Sequence, residues 1–110
     1  MMTVSELVAF NESKNAINKI IDANPECCFK IGKTSQPLET RFSQGYEDEY
    51  DNIHLIYMSK DGELIDKLEK ELIQYYMDNY PERCDNLQVG GGPDEEDIAL
   101  VGRIYLVIRK

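Results

Sequence analysis

Lys30 and Lys33 flank Ile31-Gly32, Thr34 follows at once, and Arg41 lies seven residues further on. From Cys27 to Gly45 the only acidic side chain is Glu39, so this stretch carries a net +2 inside a chain whose net charge is −9. A local excess of that kind suits the positioning of a phosphate group. Further along, Glu69 sits in Leu68-Glu69-Lys70-Glu71-Leu72-Ile73, and Asn86 precedes Gly90-Gly91-Gly92. Glu69 and Glu71 border the apolar stripe of one helix from opposite edges, so periodicity does not choose between them. Gly32-Lys33-Thr34 has the ending of a P-loop, but Cys27 stands where GxxxxGKT needs its first glycine. Nucleophilic catalysis by a cysteine–histidine pair has no support either, because nothing in the spacing brings His54 to Cys27, Cys28 or Cys84.

Positioning these side chains requires a small set of elements. Thr3-x-x-Glu6 fits a capping box and opens a first helix along Leu7, Phe10, Ala16, Ile17, Ile20 and Ile21, ended by Asn24-Pro25. Asn11, Ser13 and Asn15 weaken its middle enough to split it in two. Cys27–Ile31 reads as a strand stopped by Gly32, with Gly32-Lys33-Thr34-Ser35 as a tight turn. A short helix with Pro37 in its first turn places Leu38, Arg41 and Phe42 on one face and closes at Gly45. Ile53–Met58 is the second strand. A long helix from near Asp61 carries Leu64, Ile65, Leu68, Leu72, Tyr75 and Tyr76 at helical spacing, and Pro81 limits its end. Ile104–Ile108, introduced by Gly102-Arg103, has the strongest strand composition. The pattern predicts an α+β fold, a small three-stranded sheet flanked by helices, in which parallel crossovers are open alternatives.

The whole chain has 110 residues, 42% of them apolar and 30% charged, which suits one domain with one modest core. Twelve basic against 21 acidic side chains exclude a protein whose overall field attracts a polyanion. Three cysteines without a disulfide or metal-pair spacing fit a reducing compartment, predicting an intracellular chain, cytoplasmic or nuclear. No apolar run approaches the roughly 18 residues of a membrane span, and the first residues lack a leader pattern, predicting a soluble, unprocessed protein with no membrane partner.

The order Phe29-Lys30-Ile31-Gly32-Lys33-Thr34, then Arg41, then Glu69 before Leu72-Ile73, then Asn86 before a glycine run resembles the GIY-YIG nuclease superfamily, especially divergent members whose second motif reads KIGKT. The resemblance spans about Phe29 to Gly92. The family's GIY element normally lies just upstream of YIG, where this chain has Asn24-Pro25-Glu26; Gly102-Arg103-Ile104-Tyr105 looks like GIY with one inserted residue. The resemblance therefore implies a circularly permuted arrangement, with the C-terminal strand beside Cys27–Ile31, over a single domain of residues 1–110 that has an N-terminal helical extension. It further implies that Glu69 holds a divalent cation, Mg²⁺ or Mn²⁺. Arg41 would pair with the scissile phosphate, and Tyr105 would orient or deprotonate a water. Lys30 takes the register of the second family tyrosine, where it can contact phosphate without a phenol's donor–acceptor role. Lys33, Thr34 and Asn86 fall in substrate-binding positions.

Each residue also has a plainer role: Arg41 and Glu69 as helix-surface residues, Lys33 and Thr34 as turn residues, Asn86 as a brace for the glycine turn, Tyr105 as packing. Three readings follow. The chain is a metal-dependent endonuclease, a binding module for nucleic acid or protein on the same fold with impaired catalysis, or a small acidic interaction protein using Glu47–Asp51 and Asp94–Asp97. In all three, nucleic-acid affinity of the isolated chain is expected to be weak and salt-sensitive. Tyr75, Tyr76 and Tyr80 are candidates for a protein interface.

Overall fold

The computed structural model describes residues 2–89 and 101–110. Its elements are α1 (Val4–Ala23), β1 (Cys28–Thr34), α2 (Leu38–Gly45), β2 (Asn52–Ser59), α3 (Gly62–Asn79) and β3 (Gly102–Arg109). The three strands form one antiparallel sheet of order β1-β3-β2, so the strand latest in sequence is central. The fold is therefore α+β with an antiparallel sheet, and no parallel crossover joins the strands.

Alternation of side chains about the strands sorts the molecule into three layers. Phe29 and Ile31 of β1 and Ile104, Leu106 and Ile108 of β3 face α1 and α3, where they meet Phe10, Ile17, Ile21, Leu68, Leu72 and Tyr76. On the opposite face, Tyr105 and Val107 pack with Tyr46 and Tyr50, and Leu38, Phe42 and Ile53 complete this smaller cluster. The glycine run 90–92 and the acidic run 94–97 lie outside the described residues.

The capping box at Thr3 and Glu6 is formed in both directions, with Thr3 N–H donating to Glu6 Oε1 (2.7 Å) and Glu6 N–H to Thr3 Oγ1 (3.2 Å). From there α1 runs unbroken, because packing outweighs the poor intrinsic propensity of Asn11, Ser13 and Asn15. Ala9, Phe10, Ile17 and Ile21 are all buried, and so is Ser13. At the far end the Arg83 guanidinium donates to the carbonyls of Ile21 (2.9 Å), Asn24 (3.0 Å) and Cys27 (2.8 Å), satisfying groups the helix terminus leaves open.

Gly32 does not stop β1. The ladder continues through Lys33↔Ile104 and Thr34↔Arg103, so Gly32-Lys33-Thr34 is strand rather than turn. The turn falls at Ser35-Gln36, where Gln36 N–H donates to Thr34 Oγ1 (3.0 Å) and Arg103 Nη1 to the Ser35 carbonyl (3.0 Å).

The outer edge of β1 is covered by the segment after α3. Phe29 N–H donates to Arg83 O (2.9 Å), Asp85 N–H to Phe29 O (2.7 Å), and Phe29 forms a parallel bridge with Cys84. Tyr76 is fully buried and stacks on Tyr80, so it belongs to the core and not to an exposed interface. Among the described residues no helix is long and apolar enough to cross a membrane.

Candidate functional site

The register of β1 and β3 sets Gly32 opposite Tyr105. Both face α2, and the Tyr105 ring leans across β1 into the space a side chain at position 32 would occupy: an added Cβ would meet the phenol oxygen and Cζ and lie 2.9 Å from Cε1. Glycine is needed here for close approach, and its presence is what lets Tyr105 reach toward α2.

There the Tyr105 hydroxyl hydrogen-bonds the Tyr46 hydroxyl (2.6 Å), and the two rings pack edge to face with centroids 5.6 Å apart. Arg41, one helical turn before Gly45, folds back along α2. Its guanidinium lies 4.9 Å from the Tyr46 ring centroid and 5.9 Å from that of Tyr105. A second glycine makes this possible, since a Cβ at Gly45 would stand 2.7 Å from Arg41 Nη1. Lys30 approaches the same aromatic residue from β1, its ammonium 5.9 Å from the Tyr46 centroid. Arg41, Lys30 and Tyr105 are thus brought together, with Tyr46 as the hub that joins them.

The electrostatics of this cluster are those of a donor site. Burial and the Tyr46 hydroxyl push the Tyr105 phenol well above its ordinary pKa, while Arg41 pulls it the other way. At neutral pH Tyr105 is a protonated donor rather than a base. It is only 1% exposed, so it acts on anything outside through Tyr46. The phenol–phenol bond uses one hydroxyl hydrogen and leaves the other. No carboxylate pairs with Arg41 among the described residues. A planar cation resting on aromatic faces, with its donor fork uncommitted to an acid, suits a phosphate or carboxylate ligand.

Lys33 and Glu69 belong to the other face of the sheet. Lys33 forms an ion pair with Asp66 on α3, and Glu69 is buried one helical turn beyond Asp66. Burial raises the Glu69 pKa from 4.5 to about 6; the charges of Lys33 and Lys70 and the backbone N–H of Lys33 oppose the rise, and Asp66 adds to it. Glu69 Oε1 has no hydrogen-bond partner. An orphaned buried carboxylate oxygen is the one feature of this group that fits a divalent cation. The described residues contain no cluster of three or more His, Cys, Asp or Glu side chains arranged to hold a metal.

The remaining two expected site residues serve the backbone. Thr34 is buried and caps the Ser35-Gln36 turn. Asn86 accepts from Ile31 N–H and donates to Ile31 O, both at 2.9 Å, so its amide continues the edge of β1 like a strand residue.

Tyr46, Gly45 and Arg83 are the residues that sequence reasoning passed over. For Tyr46 the available signal was a tyrosine directly after the glycine that ends α2, five positions beyond Arg41. The fold and the cluster define a small α+β protein with an arginine–tyrosine cluster on one sheet face. No family model, curated protein or solved structure matches the chain.

Proposed function

We propose that the chain is a GIY-YIG-like module that binds nucleic-acid phosphate through Arg41 and does so with impaired or no hydrolysis. The observation that carries this reading is the Arg41 guanidinium, fixed by Gly45, Tyr46 and Tyr105 and without a carboxylate partner among the described residues of a strongly acidic chain. Tyr46 supplies a second phenol to the cluster where Lys30 replaces the family's second tyrosine, and Tyr105 holds that phenol in place from below. The expected ligand is a phosphodiester, whose oxyanions accept hydrogen bonds from the guanidinium fork. Chain-wide repulsion keeps the affinity weak and salt-sensitive.

A second reading, metal-dependent endonuclease, is favoured by one observation, the partnerless Glu69 Oε1. In that case Glu69 would hold Mg²⁺ or Mn²⁺, which when bound acidifies water and neutralises charge on a phosphate oxygen. Against it stand the burial of Glu69 and Tyr105 and their packing on opposite faces of the sheet.

The two readings separate in one experiment. Short RNA and DNA oligonucleotides are titrated with wild type, Arg41→Ala and Glu69→Gln in EDTA, then incubated with Mg²⁺ or Mn²⁺. The module reading expects salt-sensitive binding that is lost in Arg41→Ala, kept in Glu69→Gln and not followed by cleavage. Binding indifferent to Arg41→Ala overturns it. Cleavage abolished by Glu69→Gln establishes the nuclease instead.

A further inference from the structure

Next to the arginine–tyrosine cluster, and on the same face of the sheet, a cleft of about 450 Å³ is lined by Lys30, Glu49, Tyr50, Asp85 and Arg109. Its size lies within the roughly 300–1,000 Å³ of small-ligand sites. Asp85 is largely committed: Oδ2 accepts from the Tyr50 hydroxyl and from Arg109 Nε, both at 2.8 Å, and Oδ1 accepts from Arg109 Nη2 at 2.9 Å, which fills three of about four acceptor positions. That leaves Arg109 Nη1 with its donors, and Lys30, whose charge helps hold Asp85 ionised, in no close ion pair among the described residues. Lys30 lies opposite Val107, two positions before Arg109 on the neighbouring strand. Such diagonal neighbours stand about 7–8 Å apart on one face, so two long side chains can converge on one anion.

Glu49 is the remaining charge, an exposed carboxylate with no cationic partner among the described residues. It lines the same cleft as a pure acceptor. A simple anion would use the two cations and be repelled by Glu49; a neutral polar molecule would leave Lys30 unused. A ribonucleotide satisfies both sides, with phosphate oxygens for Lys30 and Arg109 and a ribose hydroxyl donating to Glu49.

We propose that this cleft is a ribonucleotide subsite in which Lys30 and Arg109 hold the phosphate and Glu49 accepts from the 2′-hydroxyl. The 2′-hydroxyl is the group by which a protein tells RNA from DNA. The subsite makes RNA the ligand class of the adjoining Arg41 cluster, and it rests on the phosphodiester reading for the presence of a nucleic-acid ligand.

The test uses mononucleotides in EDTA, so it involves neither cleavage nor a metal. 5′-AMP and 5′-dAMP are titrated into the isotope-labelled chain and followed by amide NMR shifts. The expected result is that AMP shifts Lys30, Glu49, Asp85 and Arg109 and binds about tenfold tighter than dAMP, the effect of one hydrogen bond to a charged acceptor. Glu49→Ala should remove the discrimination, and Lys30→Gln should weaken both nucleotides by a similar factor. Equal affinity of the wild type for AMP and dAMP, or shifts confined to other residues, overturns the proposal. Failure of the Arg41 reading would appear separately, as oligonucleotide binding insensitive to Arg41→Ala.

Discussion

Gly32 and Tyr105 are paired across β1 and β3, and the phenol of one occupies the space where the other would carry a side chain. This pair is a lock. Gly32→Ala forces either the strand or the ring to move, and the ring cannot move without leaving Tyr46. The expected cost is about 1–3 kcal/mol of stability, typical of overpacking. Tyr105→Phe does not relieve it, because ring carbons as well as the hydroxyl crowd the site, whereas Tyr105→Val in the Gly32→Ala background does. Urea denaturation of the two single variants and their double checks this; additive losses would refute the lock.

The two hydroxyls at 2.6 Å should behave as a unit. Tyr46→Phe strands the buried Tyr105 hydroxyl and is expected to cost about 1–3 kcal/mol, the penalty of an unsatisfied polar group. Adding Tyr105→Phe should recover part of that loss, so a double-mutant cycle returns a coupling of about 1 kcal/mol. Simple additivity would mean that the bond contributes nothing.

Glu69 gives a pH signature. Its pKa is raised from 4.5 to about 6 on folding, so between those values the native chain binds more protons than the unfolded chain. Stability therefore falls as pH rises through that window and levels off above it. Glu69→Gln, neutral throughout, should be more stable than wild type by about 2 kcal/mol at pH 7.5, with the difference vanishing below pH 4.5. Thermal or urea melts from pH 4 to 8 measure it. An unchanged difference across the range would remove burial as the cause.

Asn86 satisfies both backbone groups of Ile31. Asn86→Ala should cost about 2–3 kcal/mol, since two buried polar groups lose their partner. Hydrogen exchange at the Ile31 amide should accelerate well beyond that of Leu106 in the central strand. Asn86→Asp keeps the acceptor, loses the donor and sets a charge beside the Ile31 carbonyl, so it should be destabilised as well.

Much of this was legible in the sequence because it is local. Thr3 and Glu6 announce a helix start, Asp61 and Pro81 bracket α3, and the run Ile104–Ile108 reads as strand wherever it is placed. Gly32 was misread because composition marks glycine as a breaker, while its use here is set by a ring arriving from β3. Tyr46 was invisible for a related reason: it lies just past α2, outside any periodic stripe, and its importance comes from a partner 59 positions away. Arg41 was identified by type and order, but its geometry depends on the absence of a side chain at Gly45. The assignment of Glu69 and Tyr105 to opposite layers follows from pairing register, which periodicity along a single element does not contain.

The central place of β3 has a consequence for how the chain acquires its shape. β1 and β2 never pair with each other; each enters the sheet only through residues 102–109. Ile31 meets Leu106, 75 positions later, so at roughly 5–20 residues per second a ribosome delivers the partner about 4–15 s after the first strand. Until then β2 has no strand partner, and β1 has only the segment Arg83–Asn86 along its outer edge. Long-range closure of this kind is slow relative to helix formation. Sheet assembly is thus a late, all-at-once event, and a nascent chain stalled before Gly102 carries helices with no sheet to dock on.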